Sequence, residues 1–425
     1  MRLIQIPEQK PKYAIPTELT SELGVEQYQR LVAGNRDEEA FFYRLTKQAD
    51  GSYVGQTSYY VGVDWIDEKT ALQVRPKLED ESGYIDCLKM LNEALQEPDN
   101  AEHLDGLLTV DFNAKPIPLS LSEDLLSPFL VAQFILALKK AVRKGLRQSY
   151  YMVTENLTSK VKGKIQVAAN IRQNLSKKNI VDNVCRYQEY GVNSEENKIL
   201  KKALKVASRI LTNYRGGFDV EHLKKTIATI KPYFREVGDD YDLSRVKNYR
   251  ENPIFGDYYT ALKYGILILK HSAYGYNRDS SKTDSTPPYW IDMSRLFELY
   301  VFKELRRHYS AKELTYQFRT HWRALDYLLD PEDGRPMVID AKYKPRYHYE
   351  DPEIDDLRQI SAYARMEGVY KKLGIEEDRL IDCLIIYANQ ACEDQIPGPF
   401  SAIALTPVSH YRRFFKIGIS LPVRQ

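Results

Sequence analysis

The chain has 425 residues, 43% of them hydrophobic, and its 61 Lys and Arg nearly balance 59 Asp and Glu. That size and apolar content support two or three domains with separate cores, and no apolar run approaches the roughly 18 residues of a membrane span. The cysteines Cys87, Cys185, Cys383 and Cys392 are scattered, without a CxxC or a neighbouring His pair, which argues against a structural zinc or a disulfide framework. The N-terminus MRLIQIPEQK lacks an apolar signal core and cleavage site, so a cytoplasmic protein is expected.

Residues 1–150 read as one unit, mainly β in its first part. Ser58–Asp64 and Thr70–Arg75 are β-type runs around Trp65–Lys69, a hairpin pattern. Tyr84–Leu95 has helical spacing through Ile85, Leu88, Leu91 and Leu95, flanked by acidic residues at Glu79–Glu81 and Glu97–Asp99. Leu107–Val110 is a further strand, and Leu125–Leu146 a long helix after Ser122-Glu123-Asp124. No nucleophile or metal-ligand constellation occurs here, so the expected role is binding.

Residues 151–275 form a basic middle segment of strands and helices. From Lys139 to Arg209 there are 17 Lys and Arg against 5 Asp and Glu, the electrostatic footprint of a phosphate-backbone partner. Lys160, Lys162 and Lys164 alternate in TSKVKGKIQV, as they would along one face of a strand, and are the expected DNA-binding residues. Lys198, Lys201, Lys202 and Lys205 fit a solvated helix face as well as a DNA surface. That helix starts near Ser194, a suitable N-cap, and repeats apolar residues from Ile199 to Leu211. Leu223–Tyr233 and Tyr258–Lys270 read as helices, and Tyr274–Pro288 is polar and turn-rich, a linker.

Residues 276–425 carry the chemistry. Asp292 is placed to cap a helix with apolar residues at Met293, Leu296, Phe297, Tyr300, Val301 and Leu305, with Glu298 at the edge of that face. Then come two β-type runs, Ala324–Leu329 and Met337–Tyr343, around the turn-forming Asp330–Arg335. A turn centred near residue 333 sets Asp326 opposite Asp340, while side-chain alternation puts Asp340 and Lys342 on one face. Two hard carboxylates suit Mg²⁺, which activates a bound water, and a lysine two residues on can orient that water or meet developing negative charge. Met337-Val338-Ile339 leads straight into Asp340, so the strand is apolar enough to be central, and charges there need a partner or a metal. Gln359 and Tyr363, four apart, share one helix side, and Leu380–Ala388 is a strand covered on both faces.

VIDAKYK, with an Asp on the neighbouring strand, resembles the PD-(D/E)xK nuclease superfamily and specifically the McrC family, the nuclease subunits of modification-dependent McrBC restriction systems. The likeness extends to Met293–Tyr300 and to the QxxxY arrangement of Gln359 and Tyr363. It implies an α/β fold: a restriction-endonuclease-like C-terminal core, a mixed sheet flanked by helices, after a mainly β N-terminal domain and a basic middle segment. It implies Asp326 and Asp340 as metal ligands, Lys342 serving the attacking water, Glu298 as an auxiliary acid, and Gln359 and Tyr363 near the site. Leu325 stands where the superfamily has Pro, which leaves Asp330, before Pro331, as a rival first ligand; its place at the turn favours Asp326. By the same resemblance the N-terminal part docks on a hexameric McrB-like AAA+ GTPase, and the substrate is double-stranded DNA cut with Mg²⁺. The chain has no GxxxxGK(S/T) loop of its own: Gly163-Lys164 is followed by Ile165. Two other readings are a non-catalytic adaptor of an AAA+ motor and a nuclease of another defence system.

Overall fold

The structure is a computed structural model. It describes residues 1–425 apart from 22, 33–40, 77–83, 98, 101–102, 105, 112, 119–125, 144, 214–219, 243–254, 277–284, 322, 333, 377–378, 390–395, 397 and 425. It is mixed α/β, and the chain divides into two compact units, one of Met1–Leu125 with Thr283–Gln425, the other of Leu126–Lys282.

In the first unit, the two ends of the chain share structure. A five-stranded sheet has the order Arg2–Pro7, Thr70–Arg75, Tyr60–Trp65, Tyr289–Asp292, Leu108–Val110. The expected hairpin is there, Tyr60–Trp65 antiparallel to Thr70–Arg75. Tyr289–Asp292 then fills the place between Tyr60–Trp65 and Leu108–Val110. Thus contacts do not divide the molecule into three consecutive segments: the strand that follows the expected linker completes a sheet begun near residue 2. Near the other terminus, Val423–Arg424 pairs with Tyr84–Ile85. A four-stranded antiparallel sheet (Tyr13–Ile15, Tyr53–Thr57, Phe41–Lys47, Gln27–Leu31) shares a core with the first sheet, including Ile4, Ile6, Phe42, Leu45, Leu72, Val74 and Trp290.

The site belongs to a six-stranded mixed sheet in the order Leu314–Thr320, Arg323–Leu329, Met337–Lys342, Asp382–Ala388, Phe414–Ile419, Thr406–Pro407. The first three strands are antiparallel neighbours, and Met337–Lys342, Asp382–Ala388 and Phe414–Ile419 run parallel. Val338 and Ile339 point to opposite faces and both are fully buried, so the central strand is covered on both sides. Helices Met293–Arg306 and Ile354–Tyr363 pack against it.

The second unit packs helices Leu126–Arg143, Glu195–Asn213, Glu221–Ile230 and Gly256–Tyr276 beside a small antiparallel sheet of Ser149–Thr158, Asp182–Gly191 and Lys164–Ile165. A Cβ at Gly265 would lie 3.2 Å from the Phe134 ring and 3.3 Å from Ala203, so glycine lets three helices meet closely. Ser194 Oγ accepts from the Asn197 N–H at 3.4 Å, in the capping position expected. The expected linker at Tyr274–Pro288 differs at both ends: the helix continues to Tyr276 and strands begin at Ser285, while 277–284 lie outside the described residues. So do Glu79–Glu81, Ser122–Asp124, Asp333 and Cys392. Among the described residues no helix is long and apolar enough to cross a membrane.

Candidate active site

Strand Arg323–Leu329 meets Met337–Lys342 in the register Leu329–Met337, Leu328–Val338, Tyr327–Ile339. One step further along that register sets Asp326 opposite Asp340, and Asp326 Oδ2 accepts the Ala341 N–H at 2.8 Å. The short turn makes this register, and a one-residue slip would carry Asp340 to the face opposite Asp326. Asp330 stays exposed at the turn, at the other end of the strand.

Lys342 Nζ lies 2.8 Å from Asp340 Oδ2 and donates to Gln359 Oε1 at 2.9 Å. Gln359 Nε2 donates in turn to the Tyr363 hydroxyl at 3.0 Å. Helical spacing thus brings Gln359 and Tyr363 into one chain of contacts with Lys342, while the Tyr363 ring also packs in the core. Glu298 arrives from helix Met293–Arg306, whose first turn is capped by Asp292 accepting from the Arg295 N–H at 3.0 Å. Glu298 Oε2 accepts from Tyr316 OH at 3.2 Å and Gln317 Nε2 at 3.4 Å. The Tyr327 hydroxyl donates to the Glu298 carbonyl at 2.6 Å, tying the helix to the strand that carries Asp326.

Electrostatics gather on the carboxylates. Burial pushes Glu298 up to about 7, and the Asp292 and Asp340 charges add to this against Arg295. Burial, then the charges of Glu298 and Asp340, holds Asp326 well above the usual carboxylate range. Burial raises Asp340 too, against the pull of Lys342. Burial alone would lower Lys342, but Asp340 and Asp356 beside it raise it. Asp340 Oδ2 is buried and accepts no hydrogen bond of good geometry, although the Lys342 ammonium is at ion-pair distance.

These residues fit a hard divalent cation. Three acids that destabilise one another as anions would gain from a positive charge between them. Among the described residues no group of three or more His, Cys, Asp or Glu side chains is arranged to hold a metal. The donor set on offer is the Asp326–Asp340 pair, and Mg²⁺ commonly takes one or two carboxylates and completes its shell with water and phosphate oxygens.

Asp356 is a member of the site that the sequence did not single out. Its Oδ1 lies 3.6 Å from Lys342 Nζ and its Oδ2 2.7 Å from Lys344 Nζ, and it accepts from the Tyr347 hydroxyl. Burial would raise its pKa, but Lys342, Lys344 and Tyr347 hold it below the ordinary value. A signal was present: Asp356 is one helical turn before Gln359, and an acid in a helix's first turn is easily assigned to the helix dipole alone. Tyr316 and Gln317, on the edge strand, had no such signal.

The three lysines of the middle segment sit differently from expectation. Only Lys164–Ile165 is strand, because Ser159 and Gly163 adopt left-handed conformations (φ 55° and 67°) that break the extended run. Lys162 Nζ is 2.9 Å from Glu189 Oε1 and 4.0 Å from the centre of the Tyr187 ring, and all three lysines are exposed. On the nearby basic helix, Asp240 pairs with Lys198, and Asp239 with Lys201 and Lys205, so much of that charge is neutralised within the fold.

The family model described as "McrBC 5-methylcytosine restriction system component" matches residues 55–373. No curated protein matches in sequence. Among solved structures, a chain from the refined half-complex of a tetradecameric assembly of Thermococcus gammatolerans McrB AAA+ hexamers with bound McrC is similar at 14% identity and TM-score 0.42, covering 98% of this chain and 94% of that one. A chain of the cryo-EM structure of the Thermococcus gammatolerans McrBC complex is similar at 14% identity and TM-score 0.29, covering 72% and 87%. With its family model spanning three quarters of its length, the chain belongs to the family of McrBC 5-methylcytosine restriction system components.

Proposed function

We propose that the chain is a PD-(D/E)xK-type, Mg²⁺-dependent DNA endonuclease subunit of a McrBC-like restriction system. It works with a McrB-like AAA+ GTPase hexamer on double-stranded DNA, in the cytoplasm. The observation that carries this reading is the pairing of Asp326 with Asp340 at the end of a buried strand, with Lys342 beside them, in a member of this family. Asp326 and Asp340 would hold the cation, which when bound polarises a phosphodiester and lowers the pKa of a water.

The chain's own residues do the rest. Lys342, kept charged by Asp340 and Asp356, meets negative charge that develops on phosphate oxygens or orients the attacking water. Gln359 and Tyr363 hold the lysine side chain in place through consecutive hydrogen bonds. Glu298, near neutrality in its protonation, is able to take or give a proton at the edge of the site. Exposed cations of the middle segment, Lys160 and Lys164, are assigned to the DNA backbone.

The deciding experiment measures cleavage of methylated and unmethylated plasmid, with Mg²⁺, GTP and a McrB-like AAA+ partner each omitted in turn. Cutting that needs all three, and is lost in Lys342→Ala while stimulation of the partner's GTPase persists, is the expected result. Cutting by the chain alone means an independent nuclease. No cutting, with faster nucleotide hydrolysis by the partner, means an adaptor.

A further inference from the structure

Lys342 has two seats. Its ammonium contacts Asp340 on its own strand at 2.8 Å and, across from it, Gln359 Oε1 at 2.9 Å and Asp356 Oδ1 at 3.6 Å on helix Ile354–Tyr363. Asp356 is 8% exposed and is fixed from behind, since its other oxygen takes both the Lys344 ammonium and the Tyr347 hydroxyl. Tyr347 is fully buried and its hydroxyl also accepts from the Glu353 N–H at 3.1 Å at the start of that helix. Asp356 is therefore a rigid acid facing Lys342.

A divalent ion on Asp340 repels the ammonium beside it and drives it toward any acceptor on the other side. The side opposite Asp340 already offers a carboxylate and an amide oxygen. We propose that Asp356, with Gln359, is a positioning pair: it receives the Lys342 ammonium, frees Asp340 for a divalent cation, and keeps the lysine beside the cation rather than in its place. This rests on Asp326 and Asp340 being the cation-binding pair. Neither residue of the pair touches the cation itself.

The test is Mn²⁺ binding to the full chain, without DNA or partner, followed by the electron paramagnetic resonance signal of free Mn²⁺. Wild type binds, and Asp340→Asn does not. Asp356→Asn weakens binding about tenfold, whereas in a Lys342→Met background the same change costs less than about threefold, the signature of two coupled residues. Asp356→Glu restores binding, which separates positioning from loss of fold. Should Asp356→Asn misfold, Gln359→Leu gives a smaller loss with the same dependence on Lys342. Equal losses in both backgrounds, or no loss, overturn the proposal and leave the cation site standing. Wild type that binds no Mn²⁺, or binds it unchanged in Asp340→Asn, overturns the cation site and this proposal together.

Discussion

Asp64 sets burial against charge at a single side chain. It is buried on strand Tyr60–Trp65, where burial pushes its pKa up to about 6 although the Arg30 guanidinium lies 3.0 Å away. The native state therefore keeps a proton between its ordinary value of 3.8 and about 6 that the unfolded chain releases, so stability falls as pH rises through that window and levels off above it. Denaturant unfolding of Asp64→Asn from pH 4 to 7 should show a shallower decline than wild type, the difference reaching at most about 3 kcal/mol. Arg30 also pairs with Asp111 at 3.2 Å, a contact that the substitution does not remove. A decline identical in both proteins would mean that Asp64 titrates as an exposed acid. At the same scale, the meeting of Asp326, Asp340 and Lys342 was legible, because a short turn and side-chain alternation place them together. Asp64 was not, because nothing in VGVDW tells a buried acid from one at a strand end.

The element that decides the site's approach is the strand Tyr289–Asp292. It ends in the Asp292 cap and delivers helix Met293–Arg306, hence Glu298. Its pairing with Tyr60–Trp65 depends on Gly62, where an added Cβ would lie 2.0 Å from the Tyr289 carbonyl oxygen. Gly62→Ala should cost about 3 kcal/mol by forcing the two strands apart, and thermal unfolding checks it. An unchanged Tm would show that the strands have slack to give. Along the same stretch, helix starts at Ser194 and Asp292 were readable because caps and apolar repeats are local signals. The sheet order was not, since the partner of Tyr289–Asp292 lies more than two hundred residues away in sequence.

Across the whole molecule, the charges of the sequence are matched unevenly. Lys198, Lys201 and Lys205 are paired with Asp239 and Asp240, and the exposed Lys162 with Glu189, which sets Lys162 apart from Lys160 and Lys164 in the expected DNA patch. Reversing Lys160 and Lys164 to Glu should weaken DNA binding and flatten the slope of log K against log salt by about 2, roughly 0.9 for each phosphate no longer neutralised. Lys162→Glu should change the slope less than either, because its ammonium is already engaged. Fluorescence anisotropy with labelled duplex across a salt series measures both. A slope untouched by the double reversal would reduce the patch to a solvated face.

By itself the sequence determined the local features: helix caps, apolar periodicities, the Asp330–Arg335 turn, and the D…DxK spacing that sets Asp326 opposite Asp340. These follow from interactions between near neighbours, or between strands joined by a short turn. Only the tertiary structure decided that the two ends of the chain build one unit, that Lys160 and Lys162 leave the strand, and that Asp356 stands opposite Asp340 across the Lys342 ammonium. Each of these depends on groups brought together by packing, and burial and charge act through space without leaving a spacing in the chain.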